Sequence, residues 1–520
     1  MILEFGIQCG DVGAQLKARH GSASDKLQLQ DMNLYKAKWI FLWILVILGT
    51  SCRSTDLEDA VDSGLPITKE KWSLGSSSSV SASQQTVMDL LLLPEEAVQL
   101  IQRGFEKNPD VAGAQARLEQ AFALWKQSRW SLMPSVDLQY SLARTKQNFI
   151  GLPIPGAQNE VLSTQFQSNG LGLFANWELD LWGRMRAVKA SDRAGLKAAE
   201  YDWQFYLLSL SSQIAKAWAD AVIDERQWRL AEERATQLER VVERVKDRYG
   251  NGLETSRGLD TTTFDWLNAQ QEATQRRQRV ETSRRILEAL VGNFPHGAES
   301  LLGTLPVFDT GVPSGLPSEL LERRPDLLAA SAKVEASRQR LQATERELFP
   351  RISLTGSLGT SSPELQEVLS PDYSIWQLAG NVTQPLFSRG LIRGRIALRK
   401  AAAKEELAKY QSLILSAFKE VSVALQADVL LREQLGQSDK MLVIAKRDQN
   451  QAEQDFSRGL TGLHQVVQSR QKRLTQEIQS YEMKRQVFQN RVDLLMALGG
   501  GWESPVLETV SSLPKKDLLN

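Results

Sequence analysis

The strongest constraint in this sequence is a pair of stretches, residues 183–249 and 389–456, that contain no proline and few glycines. A helix rises about 1.5 Å per residue, so each would run about 100 Å, far beyond the depth of a globular core. The first carries a regular seam: Ile214, Ala217, Ala221, Asp224, Trp228, Ala231, Ala235, Leu238, Val242, Val245 and Tyr249. Steps of three and four alternate throughout, which is the coiled-coil spacing, and Asp224 is the one polar member. Alanines on that seam allow close helix approach. At the far ends, Tyr249-Gly250-Asn251-Gly252 and Phe456-Ser457-Arg458-Gly459 predict tight turns, after which about forty helical residues return toward Gly292 and Gly499.

These stretches belong to one unit written twice. Asn108-Pro109-Asp110 opens a helical pattern ending at Pro134, and Arg324-Pro325-Asp326 opens another ending at Pro350, both at an offset of 216. Leu181-Trp182 matches Leu386-Phe387 at 205, Gly252 matches Gly459 at 207, and Ala289-Leu290 matches Ala497-Leu498 at 208. The fall from 216 to 205 assigns the first copy about eleven extra residues between Pro134 and Trp182. Each copy reads as helix, strand, loop, strand, very long helix, turn, helix. Val136, Leu138, Tyr140 and Leu142 alternate with polar residues or alanine, as do Leu171, Leu173, Ala175, Trp177 and Leu179 with mostly small or polar neighbours. Ile352, Leu354 and Leu358, then Trp376, Leu378 and Val382, repeat the pattern in the second copy. Period two marks strands with one apolar face. Such strands suit an ordinary sheet packed on helices or a membrane barrel. Four strands cannot close a barrel, and open edges are not tolerated in lipid, so the barrel reading requires eight strands from two chains or twelve from three. Helices continuing those strands would extend it as a hollow tube.

Composition narrows the function. Sixty-two Lys and Arg balance 62 Asp and Glu, which speaks against nucleic acid as a partner. Two cysteines and three histidines leave little for a disulfide framework or a metal centre. None of the common nucleotide, hydrolase or metalloprotease motifs occurs, so no enzyme, cofactor or metal is expected. Lys36 and Lys38 precede a short apolar run from Trp39 to Leu48, and Gly49-Thr50-Ser51-Cys52 follows it. That run is too short to span a membrane and reads as an export leader over residues 1–51, with Met32 as the expected true start. The alternative is a plain secretory signal with an incidental cysteine. The expected organisation is a polar linker over 52–94, repeats over 95–305 and 306–505, and a polar tail over 506–520.

The leader with Cys52, Asn108-Pro109-Asp110, Arg323-Arg324-Pro325-Asp326, Glu178-Leu179-Asp180-Leu181-Trp182-Gly183 and the paired turns at Gly252 and Gly459 resemble the TolC-like outer-membrane efflux channel family. The likeness is to its lipoprotein branch of OprM and NodT type, over roughly residues 90–505. It implies a mainly α chain with membrane β. It also implies a homotrimeric α/β-barrel tunnel, with four strands per chain in a twelve-stranded outer-membrane barrel and coiled-coil helices in the periplasm. Further implications are lipidation at Cys52, a gate at the helix tips, a periplasmic adaptor at those tips, and an inner-membrane pump of the RND class. The substrates would be small molecules such as drugs, toxic compounds or metals. One departure stands out. Relatives carry carboxylates after the second turn, whereas this chain has Thr461, His464, Gln465 and Gln468. A neutral amide ring at the tunnel mouth is one reading, and glutamines solvating a helix face is the other; Arg257 and Asp260 are the next gate positions. A type I protein secretion channel and a periplasmic coiled-coil adaptor or structural protein are the alternative functions. Trp177, Trp182 and Trp376 suit an interfacial aromatic girdle, while Trp125, Trp218 and Trp228 suit helix packing.

Overall fold

A computed structural model describes residues 93–149, 162–297, 303–306, 323–387 and 390–500. The leader, Cys52, the polar linker up to residue 92 and the tail at 506–520 lie outside these residues. The first copy comprises α1 (Glu95–Lys107), α2 (Pro109–Trp130), β1 (Ser135–Phe149), β2 (Leu162–Leu179), α3 (Arg184–Gly250) and α4 (Ser256–Val291). The second comprises α5 (Pro325–Glu345), β3 (Arg351–Ser362), β4 (Ser374–Thr383), α6 (Leu391–Ser457) and α7 (Leu463–Ala497). Both long helices are 67 residues, and the returning helices are 36 and 35. Among the described residues no helix is long and apolar enough to cross a membrane.

Glycine caps set the register of the two copies. Gly183 and Gly390 precede the long helices with φ of 79° and 76°, and Gly292 and Gly499 end the returning helices, both at 86°. Each pair is separated by 207, since 390−183 and 499−292 give the same figure. The offset over both hairpins is therefore constant. The matches at 205 and 208 are one or two residues out of structural register, and the first copy's excess before the long helix is 216−207, or nine residues. Trp182 does not correspond to Phe387. Its indole stacks on Phe349 at 5.3 Å and donates to the Pro350 carbonyl at 2.7 Å, whereas Phe387 is exposed. The extra residues of the first copy go into the hairpin, whose strands of 15 and 18 residues exceed the 12 and 10 of the second.

The four strands form one antiparallel sheet in the order β1-β2-β3-β4, so β2 and β3 join the copies and β1 and β4 are open edges. Register aligns the apolar residues across all four strands. Leu138 faces Leu173, Leu173 faces Leu358, and Leu358 faces Trp376. Val136 meets Ala175, Trp177 meets Leu354, and Ile352 meets Val382 on the same side. The reverse side carries Asp137, Gln139, Glu178, Ser353, Thr355, Gln377 and Asn381. Among the described residues nothing covers the apolar side: Leu138 is 70%, Leu378 74% and Trp376 77% exposed. Among the described residues no helix packs on this face, unlike an ordinary sheet packed on helices. Burying one such side chain contributes roughly 1.5 kcal/mol or more, so six left in water would forfeit about 9 kcal/mol, comparable to the whole stability of a domain. On β1 the band ends at Leu142, and the same side continues as Arg144 and Lys146.

The core lies where α1, α2 and α4 pack on the middle of α3. Trp218 is fully buried against Phe488, with ring centroids 6.1 Å apart, among Leu100, Ile101, Ile214 and Leu287. Short helices stack end to end alongside the long ones, as their lengths predict. The Asn108 amide donates to the Leu290 carbonyl at 2.8 Å, joining α2 to the end of α4. At the equivalent joint the buried Arg324 donates to the Ala497 carbonyl at 3.2 Å and to Glu420 at 2.9 Å, while a bidentate pair ties it to Asp326. The joints are tight. A Cβ on Gly292 would lie 2.6 Å from the Lys107 carbonyl, at a φ that side chains disfavour. Gly292→Ala should therefore cost at least about 2 kcal/mol, measured as a lowered melting temperature of the detergent-solubilised protein. Wild-type melting would contradict the joint.

Candidate functional site

Three places gather the polar, charged and exposed apolar side chains that the fold positions: the strand-to-helix hinge, the polar seam between the hairpins, and the helix tips. At the hinge, Glu178, next to the last residue of β2, accepts from Arg184 at 2.8 Å. The Asp180 carboxylate accepts from the Met185 and Arg186 amides at 2.9 and 2.8 Å, satisfying donors that a helix start leaves open. Gly183 supplies the left-handed residue, and its carbonyl accepts from Arg346 at 2.6 Å. The Trp177 indole donates to the Leu132 carbonyl at 3.0 Å. The segment from Glu178 to Gly183 thus turns the sheet into the long helix, with Trp177 and Trp182 both anchored at this end. Trp376 stands toward the opposite end, near the start of β4.

The seam explains the single polar member of the coiled-coil pattern. Asp224, buried on α3, pairs with Arg485 of α7, 261 residues away in sequence. Arg485 also approaches Asp220 at 3.7 Å and Glu482 at 3.5 Å, while Gln489 donates to Asp220 at 2.8 Å. Lys216 pairs with Asp493, and nearer the tips Arg473 pairs with Glu233 at 3.1 Å. Burial holds the Asp220 carboxyl above the usual carboxylate range, and Asp224 and Glu482 add to that against Arg485 and Gln489. Between α3 and α4, the buried Glu225 pairs with Arg284 at 2.8 Å. Heptad spacing located Asp224 and gave no signal for Arg485, because a partner on a different helix leaves no local period.

At the tips both turns share one hydrogen-bond pattern. Leu253 and Gly252 donate to the Arg248 and Tyr249 carbonyls at 2.8 and 3.0 Å; Leu460 and Gly459 donate to Asp455 and Phe456 at the same distances. This closes each helix through a left-handed glycine, Gly252 at 71° and Gly459 at 75°. Asn251 and Ser457 add side-chain bonds to Asp247 and Gln454. Gly250 and Arg458 complete the exposed turns. Tyr249, Phe456, Leu253 and Leu460 leave matching apolar surfaces exposed at the two tips. The returning helices start differently, since the Thr255 hydroxyl caps α4 at the Gly258 amide, 3.1 Å away, while Gly462 precedes α7 with no side-chain cap. On α7, His464, Gln465 and Gln468 are exposed while Val466 and Ser469 face inward, and Thr461, just before the helix, is partly buried. Arg257 and Asp260 are exposed on the first turns of α4.

Two substitutions test the seam. Asp224→Leu leaves Arg485 under-compensated and should cost roughly 3 kcal/mol, whereas Asp202→Leu, which breaks the half-exposed pair with Lys333, should cost less than about 1 kcal/mol. Equal losses in thermal unfolding would contradict the burial argument. Because its folded pKa is raised, Asp220 contributes stability that is present below its unfolded value and lost as pH rises through the folded one. Asp220→Asn should remove that fall, read as the difference in melting temperature between about pH 4 and about pH 7.

Comparison with known proteins agrees with this architecture. The model of the outer membrane efflux protein family matches residues 100–293 and 316–500. The pyoverdine export outer membrane protein OpmQ of Pseudomonas aeruginosa is 27% identical over 412 residues, covering 78% of this chain and 85% of the relative. The solvent efflux pump outer membrane protein SrpC of Pseudomonas putida is 26% identical over 414 residues, covering 78% and 85%. Among solved structures, the outer-membrane channel CmeC of Campylobacter jejuni superposes with a TM-score of 0.77 at 22% identity, over 86% of this chain and 96% of that one. The outer-membrane channel OprN gives 0.72 at 24%, over 81% and 93%. With the repeated hairpins, the uncovered apolar sheet and the two matched halves in agreement, the chain belongs to the outer membrane efflux protein family.

Proposed function

We propose that three copies of this chain close a twelve-stranded barrel in the outer membrane and continue it as a helical tunnel through the periplasm. The tunnel passively conducts small molecules delivered by an inner-membrane pump, without catalysis. The observation that carries this reading is the apolar sheet face, aligned over four strands and uncovered, with open backbone edges at β1 and β4. Lipid on that face and a second copy at each edge satisfy both needs together. The polar side of the sheet then lines water, and the ~100 Å helices reach from the barrel to a partner. The exposed apolar pairs Tyr249 with Leu253 and Phe456 with Leu460 suit docking of a periplasmic adaptor at the tips. A pump and a small-molecule cargo agree with relatives named for pyoverdine export and for a solvent efflux pump, and the RND class is what the resemblance of the sequence implies. Cys52 in its leader context supports a lipid anchor. A single acyl chain binds only marginally, so the barrel holds the protein in the membrane.

The tips also bear the gate. Gln465, Gln468 and the neighbouring Thr461 and His464, repeated from three chains, would ring the mouth with neutral groups in place of carboxylates. Amides offer dipoles where carboxylates attract hard cations by charge, so the wild-type channel should show weak block by divalent cations. Gln465→Asp with Gln468→Asp should introduce a clear block in planar-bilayer conductance at constant ionic strength. Equal block of both proteins would move the gate to Arg257 and Asp260. For the function itself, Gly252→Val with Gly459→Val should abolish export in cells lacking the wild-type gene while leaving assembly intact. Normal export by that variant would contradict the role of the tips.

A further inference from the structure

The two copies pack differently, and the difference identifies what covers the outer flank of α6. Helix α3 is flanked by α4 and α2 of its own copy on one side and by α7 and α5 on the other. Helix α6 occupies the equivalent place, 207 residues on. It has α7 and α5 of its own copy on one side, and among the described residues no helix pair covers the other. Residues at the same positions record this. Leu208 is 3% exposed and Leu415 is 70%; Val222 is 3% and Val429 52%; Ile223 is 1% and Leu430 49%. These are similar side chains at equivalent places, buried in one copy and bare in the other; in the first copy Gly303, Thr304, Leu305 and Pro306 also line one cavity with Val222 and Ile223.

The helices that cover the outer flank of α3 are α5 and α7, whose counterparts in the first copy are α2 and α4. Those of a second chain would therefore lie against α6. The strands require the same arrangement: β2 pairs with β3 beside the α3–α5 contact, and β4 leads into α6 just as α2 leads into β1, both at open edges. The repeat also gives the contacts. Within the chain, Lys216 meets Asp493, Asp220 meets Gln489, and Asp224 meets Arg485. Moving the α3 residues forward and the α7 residues back by 207 gives Val423 with Ile286, Ala427 with Thr282, and Leu431 with Gln278. The charged contacts are replaced by neutral ones. Val423 and Ile286 are 60% and 52% exposed in the single chain.

Resting on the assembly proposed above, we infer that α6 of one chain docks on α4 of a second copy through an uncharged seam centred on Val423 and Ile286. The ionic seam of Lys216, Asp224 and Arg485 stays within each chain. Docking along this seam is then insensitive to salt, because screening acts on charges that this seam lacks.

The test uses full-length protein in detergent, in a Cys9→Ser/Cys52→Ser background. Mild oxidation of Val423→Cys/Ile286→Cys should give a trimer-sized band on a non-reducing denaturing gel, and neither single cysteine should do so. A double variant that stays monomeric on the gel, while light scattering reads three chains, would overturn the seam and leave the trimer standing. A light-scattering mass other than three chains would instead overturn the assembly on which the seam rests. As a second reading, Val423→Lys should weaken assembly at least tenfold. Adding Ile286→Asp should restore it at low salt but not at high salt, copying the pair of Lys216 and Asp493. Undiminished assembly of Val423→Lys would contradict the inference.

Discussion

Backbone edges that lipid cannot satisfy dominate this structure. β1 and β4 each present a row of unpaired amides and carbonyls next to an apolar sheet face, and every such group left bare in hydrocarbon costs several kilocalories per mole. Four strands cannot curl onto themselves. The chain is therefore shaped for its own copies, and α3 inherits that arrangement because β2 runs into it through a capped hinge. Asp180 and Gly183 fix the turn from β2 into α3, so the barrel's geometry passes directly to the tunnel wall.

Along that wall the balance of forces changes. Near the middle, Trp218, Phe488 and Leu287 build a dry core around α3. Toward the tips the seam loses burial: Ala231 and Leu238 are still buried, Val242 and Val245 are partly covered, and Tyr249 is exposed. Polar ties such as Arg473 with Glu233 replace apolar contact there. Half-exposed ion pairs contribute little to stability, so the tips are the weakly held end of each hairpin. The gate proposed there would open without disturbing the core.

Much of this was legible in the residues. The long helices, returning helices and turn glycines follow from periodicity and the lack of proline, and Asn108-Pro109-Asp110 announces a helix start that the Asn108 side chain caps at the Asp110 amide. Alternation found the strands, but only pairing shows that their apolar residues share one bare face. Two matters were hidden. Leu181-Trp182 and Leu386-Phe387 look equivalent as letters, yet Gly183 and Gly390 hold the register, because a left-handed backbone is the feature both copies must reproduce. The partner of Asp224 lies across 261 residues, and no period within one helix records a contact to another.

The central claim is that the chain completes itself with two more copies. Native mass spectrometry of the purified protein, released from detergent micelles, tests this most directly. The account predicts a single assembly of three chains, persisting at high ionic strength. Stable particles of one, two or four chains would contradict it.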